Sequence, residues 1–384
     1  MSATELFTAT YSRPPEGLFA APGRVNLIGE HTDYTGGLVL PFAIDASATL
    51  AIARNTDDVV RVVSAQRPGP VQMFSNEDLH PHSPAAGSWP GYLLGAVWAL
   101  RQAGHAVGGL DLALDSQVPS GAGLSSSAAV ECVTTLAAAS VSGIALEPLQ
   151  IAALSLRAEN DFVGVPCGPM DQTASAAARA GSVLLFDTRA GTVEYVPFNP
   201  AAENLGLLVI DTRVTHSLSD GEYAKRRADC EKAVDILGVN SLRDITPEVL
   251  PIALDKLDDP VLARRVSHVV TENSRVASTV EFLRAGNLHA IGELLTASHR
   301  SLQHDYEVSC PELDVAVNAC LGSGALGARM TGGGFGGSAI ALIPSNLVGQ
   351  SIRAVLAAFD QHGFAEPVPR MVNPSDGARS VSQG

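Results

Sequence analysis

The chain has 384 residues, 46% hydrophobic and 17% charged, which is material for a large core and, at one domain per ~150 residues, predicts two or three units. A formal net charge of −15 without any Lys/Arg-rich block argues against nucleic acid or an anionic membrane as the main partner. Cys132, Cys167, Cys230, Cys310 and Cys320 are odd in number, widely spaced and free of C-x-x-C, so a disulfide framework or zinc ribbon is not expected and reduced thiols in a cytoplasm fit better.

The N-terminal MSATELFTATYSRPPEG has no basic n-region and no apolar h-region, and no later run is apolar for the ~18 residues of a membrane span. TLAIARN, VRVVSA and VQMF are short, rich in β-branched residues and bounded by turn formers, which predicts a meander of antiparallel strands. GYLLGAVWALRQAG has helical spacing and a glycine stop. LDLALDSQVP alternates like a half-buried strand and leads through a Gly/Ser loop into an Ala-rich helix. Further helices are predicted to start near Glu147 and Asp171, and SVLLFDT and LGLLVID return to strand. From about Ser219, long helical patterns dominate until a glycine-rich turn, the strand-like SAIALIP and one more helix, GQSIRAVLAAFDQHG. The pattern is α+β in two lobes, with the texture changing near residues 190–205. QRPGP and HPHSPAAG read as surface loops, and the final PSDGARSVSQG as a loose tail.

Three loops carry chemistry. In PSGAGLSSSAA, Gly121 and Gly123 let the backbone turn sharply and approach a ligand, and the serines open a helix whose unpaired N–H groups can cradle phosphate. Their hydroxyls can add hydrogen bonds or hold Mg²⁺. A Gly–Ser linker ending in a serine N-cap remains the alternative. The loop is no Walker A motif, and only Lys225, Lys232 and Lys256, all in polar helix-like surroundings, could serve a lysine-centred mechanism. In RMTGGGFGGSAIAL, Gly332, Gly334 and Gly337 satisfy G-x-G-x-x-G, but a strand follows where a dinucleotide fold needs a helix. Close approach to a ligand or to another loop, or a tight glycine hairpin, explains the glycines instead. In AENDFVGVPCGPMDQ, Asp171 opens a helix and could cap it, while Glu159 is either a surface charge or a metal-binding carboxylate.

The stretch GRVNLIGEHTDYTGG sets Glu30, His31 and Asp33 close together, with Arg24 just upstream. Strong metal-ligand spacings such as H-E-x-x-H are missing. Carboxylates also accept hydrogen bonds from neighbouring hydroxyls, so the cluster suits a polyhydroxylated ligand, and the Arg24 fork suits a carboxylate or a moving phosphoryl group.

Together these pieces resemble the galactokinase branch of the GHMP small-molecule kinases. GRVNLIGEHTDYTGG resembles its N-terminal signature, PSGAGLSSSAA its phosphate loop, CGPMDQ its catalytic block and MTGGGFGGSAIALIP its third motif. The likeness runs from about Leu18 to about Pro374 with the motifs in order. It implies a two-lobed GHMP architecture, an N-terminal mixed β/α lobe over residues 1–200 and a C-terminal lobe, helices packed on an antiparallel sheet, over 201–384. It implies Mg²⁺-dependent transfer of the ATP γ-phosphoryl group to the C1 hydroxyl of α-D-galactose, giving galactose 1-phosphate and ADP, the first committed step of galactose catabolism. Asp171 then matches the catalytic aspartate and Arg24 the arginine that orients it and stabilises the phosphoryl group. Glu30, His31, Thr32, Asp33, Gly168 and Tyr223 match sugar-binding positions. Gly121, Ala122, Gly123, Leu124, Ser125, Ser126 and Ser127 match the nucleotide-phosphate loop, Ser127 and Glu159 the Mg²⁺ ligands, and Ser64 is placed near the adenine. A cytoplasmic monomer without nucleic-acid or membrane partners is expected.

An aspartate is a weak base toward an alcohol, so position 171 either takes the proton late or only orients the hydroxyl. Thr35 stands where the family often has Asn, Pro169 where it often has an aliphatic residue, and VIDTRVTHSL departs from a segment that often carries Asn–Ser. The rival readings are a catalytically silent galactose- and ATP-binding sensor, against which the intact serine loop and Asp171 argue, and a GHMP kinase for a neighbouring sugar. GEHTDY argues against non-sugar acceptors such as mevalonate or homoserine.

Overall fold

A computed structural model describes residues 1–214 and 219–382. Helix α1 (Ala3–Tyr11) starts at a capping box in which Ser2 and Glu5 each accept the other's backbone N–H. It lays Ala3 and Phe7 on Ala51, Ala53 and Ala113. Then follow β1 (Gly17–Asn26), β2 (Leu38–Val39), β3 (Pro41–Asn55), β4 (Val60–Ser64), β5 (Gln72–Phe74), α2 (Gly91–Gln102), β6 (Gly109–Ser116), α3 (Ser126–Val141), α4 (Pro148–Arg157), α5 (Met170–Ala177), β7 (Ser182–Asp187), β8 (Thr192–Pro197) and β9 (Leu205–Asp211). Helices α6 (Ser219–Leu237), α7 (Leu250–Leu254), α8 (Pro260–Arg284), α9 (Ile291–His304) and α10 (Pro311–Gly322) lead to β10 (Gly327–Thr331), β11 (Ser338–Pro344), α11 (Val348–His362), β12 (Val368–Val372) and β13 (Arg379–Ser380).

One sheet has the order β13-β1-β3-β6-β4-β5, a second β10-β11-β9-β12 and a third β2-β7-β8. The predicted meander is corrected here. Strand β6 inserts between β3 and β4 and runs parallel to β4, the two being joined through β5 and α2. The burial of β6 explains it: its first six residues are buried without alternation, as a central strand covered on both faces requires. The supposedly loose tail is also ordered. Phe19 and Ala20 of β1 pair with Ser380 and Arg379, and Ser375 bridges to Ala43. In the loop HPHSPAAG, Ser83, Ala85 and Ala86 are buried rather than at the surface.

The two halves share β9. Leu205, Leu207 and Val209 join the large core with β1, β3, α2 and α3, while Leu208 and Ile210 join a second core with α8, α10 and α11. Alternate faces of one strand therefore tie the lobes together.

Two features aim the chain at the cleft. The register of β1 on β3 slips between Pro22 and Arg24, a bulge that re-aims the Arg24 side chain. Helix α4 continues into a π turn, Ala158–Val163, which buries Glu159.

Candidate active site

The cleft, about 320 Å³, is lined by Arg24, Glu30, His31, Asp33, Gly121, Gly123, Gly168, Asp171 and Tyr223, residues from five separate segments. That volume suits a small ligand. Thr331, the loop Gly332 to Gly337, Val165, Pro166, Cys167, Met170 and Val214 complete the wall.

Arg24 and Asp171 form a two-point pair, Nε to Oδ1 at 2.7 Å and Nη2 to Oδ2 at 2.8 Å, while Nη1 donates to the Gly123 carbonyl at 2.7 Å. Burial opposes the Arg24 charge, but Asp171 and Glu30 beside it hold the guanidinium firmly protonated. The N-cap of α5 is Pro169, so Asp171 does not cap its helix. Its carboxylate is spent on Arg24 and on the Ser125 hydroxyl, which donates to Oδ2. Ser125 occupies the N-cap position of α3 with left-handed backbone (φ 59°) and makes no side-chain capping bond. The first N–H groups of that 16-residue helix are thus left without a side-chain cap.

The sugar-signature residues divide. The Glu30 Oε1 atom accepts from the Gly332 N–H (2.7 Å) and the Thr331 hydroxyl (3.1 Å). Burial, with Asp171 and Glu30 nearby, raises the Asp33 carboxyl to about 7. A Cβ at position 168 would collide with that carboxylate, which is why glycine stands there. Burial lowers His31 to about 3, so its imidazole is neutral. Thr32 is turned away from the cleft: its hydroxyl is buried and donates to the Gly29 and Leu38 carbonyls at 2.8 and 2.7 Å.

Behind Asp171, Gln172 Nε2 donates to Glu159 at 2.5 Å and reaches Glu131 at 3.3 Å. Burial, together with the neighbouring carboxylates, raises both Glu131 and Glu159. The neighbouring Ser127 hydroxyl works against that rise at Glu159. Glu159 is therefore no surface charge. Glu131 is a member of this cluster that sequence reasoning missed; its buried place in an Ala-rich helix was the available signal. Ala122, Leu124, Ser125, Ser126, Ser127, Glu159 and Ser64 are not on the cleft wall. Leu124 is core, with its carbonyl accepting the Arg24 N–H at 3.1 Å, and Ser64 is buried at the end of β4.

The third glycine motif is the turn of the β10–β11 hairpin, and it packs on the phosphate-like loop. A Cβ on Gly332 would lie 2.9 Å from the Gly123 carbonyl oxygen, and the Ser338 hydroxyl donates to the Ala122 carbonyl at 2.6 Å. The hairpin and the loop–loop approach are one feature, and the strand after it excludes a dinucleotide fold. In VIDTRVTHSL, residues 215–218 lie outside the described residues.

A glycine loop at a helix N-terminus, facing an arginine-paired aspartate and a cluster of carboxylates, defines a small-molecule kinase of the GHMP type. Family profiles agree: residues 91–179 match the GHMP kinases N terminal domain, residues 279–361 the GHMP kinases C terminal domain and residues 5–54 the galactokinase galactose-binding signature. The chain belongs to the galactokinase family. It is 50% identical to the galactokinase of Streptomyces coelicolor over 98% of this chain and 97% of that one. It is 40% identical to the galactokinase of Mycobacterium tuberculosis over 94% and 98%. The crystal structure of Lactococcus lactis galactokinase complexed with galactose superposes with TM-score 0.94 at 31% identity, covering 98% of both chains. A mevalonate kinase structure, 18% identical with TM-score 0.68 over 93% and 98%, shares the fold. The activity is ATP-dependent phosphorylation of galactose, with ATP as co-substrate.

Proposed function

We propose that Asp171 faces the C1 hydroxyl of galactose and that Arg24 orients it, the observation carrying this being the two-point Arg24–Asp171 pair on the cleft wall. A fixed carboxylate can hold the hydroxyl proton on the far side from the incoming phosphorus, and positioning of this kind supplies most of a phosphoryl transfer. The Arg24 fork, bonded both to that carboxylate and to the Gly123 carbonyl, ties it to the loop that would hold the nucleotide phosphates, residues 121–127. Its charge is placed to balance the transferring group.

Glu30, His31, Asp33, Gly168 and Tyr223 form the sugar wall. Thr32 supports its turn, and Ser64 and the loop belong to the nucleotide side. Ser127 and Glu159 suit Mg²⁺: a hydroxyl and a buried carboxylate are hard oxygen donors, and the carboxylates Glu131, Glu159 and Asp171 favour a cation. When bound there, the metal would neutralise charge on the nucleotide phosphates. The reading takes residues 1–200 and 201–384 as the two lobes, joined through β9, and the protein as a cytoplasmic monomer.

The test is ADP release with galactose at saturating ATP, with and without Mg²⁺, for the wild type and Asp171→Ala. Wild-type turnover that needs Mg²⁺, and an Asp171→Ala protein that binds ATP but does not turn over, are expected. Near wild-type turnover by Asp171→Ala would remove the assignment.

A further inference from the structure

Behind the sugar wall lies a run of buried polar contacts that the phosphoryl transfer does not use. His31 has φ 61°, left-handed backbone that a non-glycine residue keeps only where its surroundings hold it. Its Nε2 lies 3.1 Å from the Gly333 carbonyl oxygen and its Nδ1 2.9 Å from the Tyr34 hydroxyl. The Tyr34 hydroxyl lies 2.8 Å from that of Tyr306, which lies 3.1 Å from Cys230 Sγ. A carbonyl only accepts, so Nε2 carries the hydrogen and Nδ1 of the neutral ring accepts. Tyr34 must then donate to Nδ1. Its oxygen accepts from Tyr306, whose oxygen accepts from the Cys230 thiol.

We propose that Cys230, Tyr306 and Tyr34 form a one-way hydrogen-bond relay that holds His31 in its Nε2–H tautomer and so pins the ring, through the Gly333 carbonyl, in its place in the sugar wall. The proposal rests on the reading of His31 as part of that wall. His31 then donates its one hydrogen to the Gly333 carbonyl, tying the sugar signature to the third glycine motif, and presents no free acceptor nitrogen to the cleft. The relay links α6, the segment after α9, the sugar signature and the third glycine motif. Tyr223 packs on it, its ring 5.5 Å from His31 and 5.3 Å from Tyr34. Burial raises both relay phenols well above their ordinary range, so they remain donors throughout the working pH range. Tyr34, Tyr306 and Cys230 are positioning residues, because none of them lines the cleft.

The test uses Tyr34→Phe, Tyr306→Phe and Cys230→Ala in the full chain. Losing one hydrogen bond next to the ring should raise the galactose KM about tenfold in Tyr34→Phe, and the effect should shrink with distance, to about threefold in Tyr306→Phe and under about twofold in Cys230→Ala. The KM for ATP should stay within about twofold in all three. Nitrogen-15 NMR of the wild type, with the His31 signal assigned against His31→Asn, should show the proton on Nε2. A galactose KM unchanged in Tyr34→Phe, an ATP KM that moves in parallel, or a proton on Nδ1 would overturn the relay. If Tyr34→Phe does not fold, Tyr306→Phe and the wild-type spectrum decide. A wild type that does not turn over galactose would instead sink the functional reading, and the NMR result would still judge the relay.

Discussion

Arg24 shows how much one side chain is asked to do. Its guanidinium bonds two oxygens of Asp171 and one carbonyl of the glycine loop, with the side chain almost wholly buried. A lysine keeps the charge and loses the fork. Arg24→Lys should lower kcat about 10- to 100-fold, the range for losing one charge-assisted hydrogen bond of ~1.5–3 kcal/mol. Steady-state kinetics at saturating galactose measures it, and wild-type rates would count against the role given to the fork. Asp33 yields a second prediction. Its carboxyl is raised to about 7 by burial and by Asp171 and Glu30. As pH falls through 7 it takes up a proton and ceases to be a pure acceptor, so kcat/KM for galactose should fall on the acid side with a midpoint near 7. The same shift bears on stability with a definite sign. A carboxyl whose folded pKa is raised favours the folded state below its unfolded pKa and loses that contribution as pH rises to about 7. Asp33→Asn should therefore melt higher than the wild type at pH ~8, lose that advantage toward pH ~4, and bind galactose poorly. Equal melting temperatures at both pH values would show that the carboxylate is not strained. These residues were legible from the sequence as types in a cluster. Which oxygen meets which donor was not, because Asp171 and Arg24 lie 147 positions apart.

At the scale of elements, the bulge in β1 decides whether Arg24 reaches the cleft at all. Gly23 sits in it, and a Cβ there would lie 2.6 Å from the Leu124 carbonyl oxygen and 2.8 Å from Val118 Cγ1. That carbonyl also accepts the Arg24 N–H, so the phosphate-like loop is packed directly on the strand. Gly23→Ala should displace the loop, raise the KM for ATP and cost ~1–3 kcal/mol of stability, as overpacking of a close contact does. Unchanged ATP kinetics and melting would mean that the loop yields freely. This strand escaped sequence reading for a physical reason. GLFAAPGRVN has eight consecutive buried residues and no alternation, and its Pro and Gly look like turn punctuation. Helix α10 was missed although Pro311 at its first position signals a start. Longer amphipathic helices such as α8 and α9 were legible because one buried face repeats at helical spacing. The antiparallel meander failed because strand order is a tertiary property: β6 is distant in sequence from β4 yet lies beside it.

At the scale of the whole molecule, the chain closes on itself through its C-terminal segment. After β12 leaves the second sheet, Ser375 bonds the Ile44 carbonyl at 2.6 Å, Asp376 accepts the Ala180 N–H at 3.0 Å and Gly377 N–H donates to the Ala178 carbonyl at 2.9 Å. Arg379 and Ser380 then complete the edge of the first sheet. Polar composition hid this, since a segment of Pro, Ser, Asp and Gly reads as loose when its partners are unknown. The strap touches the molecule at β1, β3 and the C-terminal end of α5, the helix that carries Asp171 at its other end. None of its residues lines the cleft. Deleting residues 373–384 removes several hydrogen bonds of ~0.5–1.5 kcal/mol each and exposes the edge of β1. The melting temperature should fall by roughly 5–10 °C, while the KM values for galactose and ATP move less than about twofold. A thermal melt and steady-state kinetics on the shortened chain check both halves. If the melt is unchanged, the lobes are held by β9 and the shared core alone. If instead kcat collapses without a change in melting, the strap acts on α5 and belongs to the positioning of Asp171.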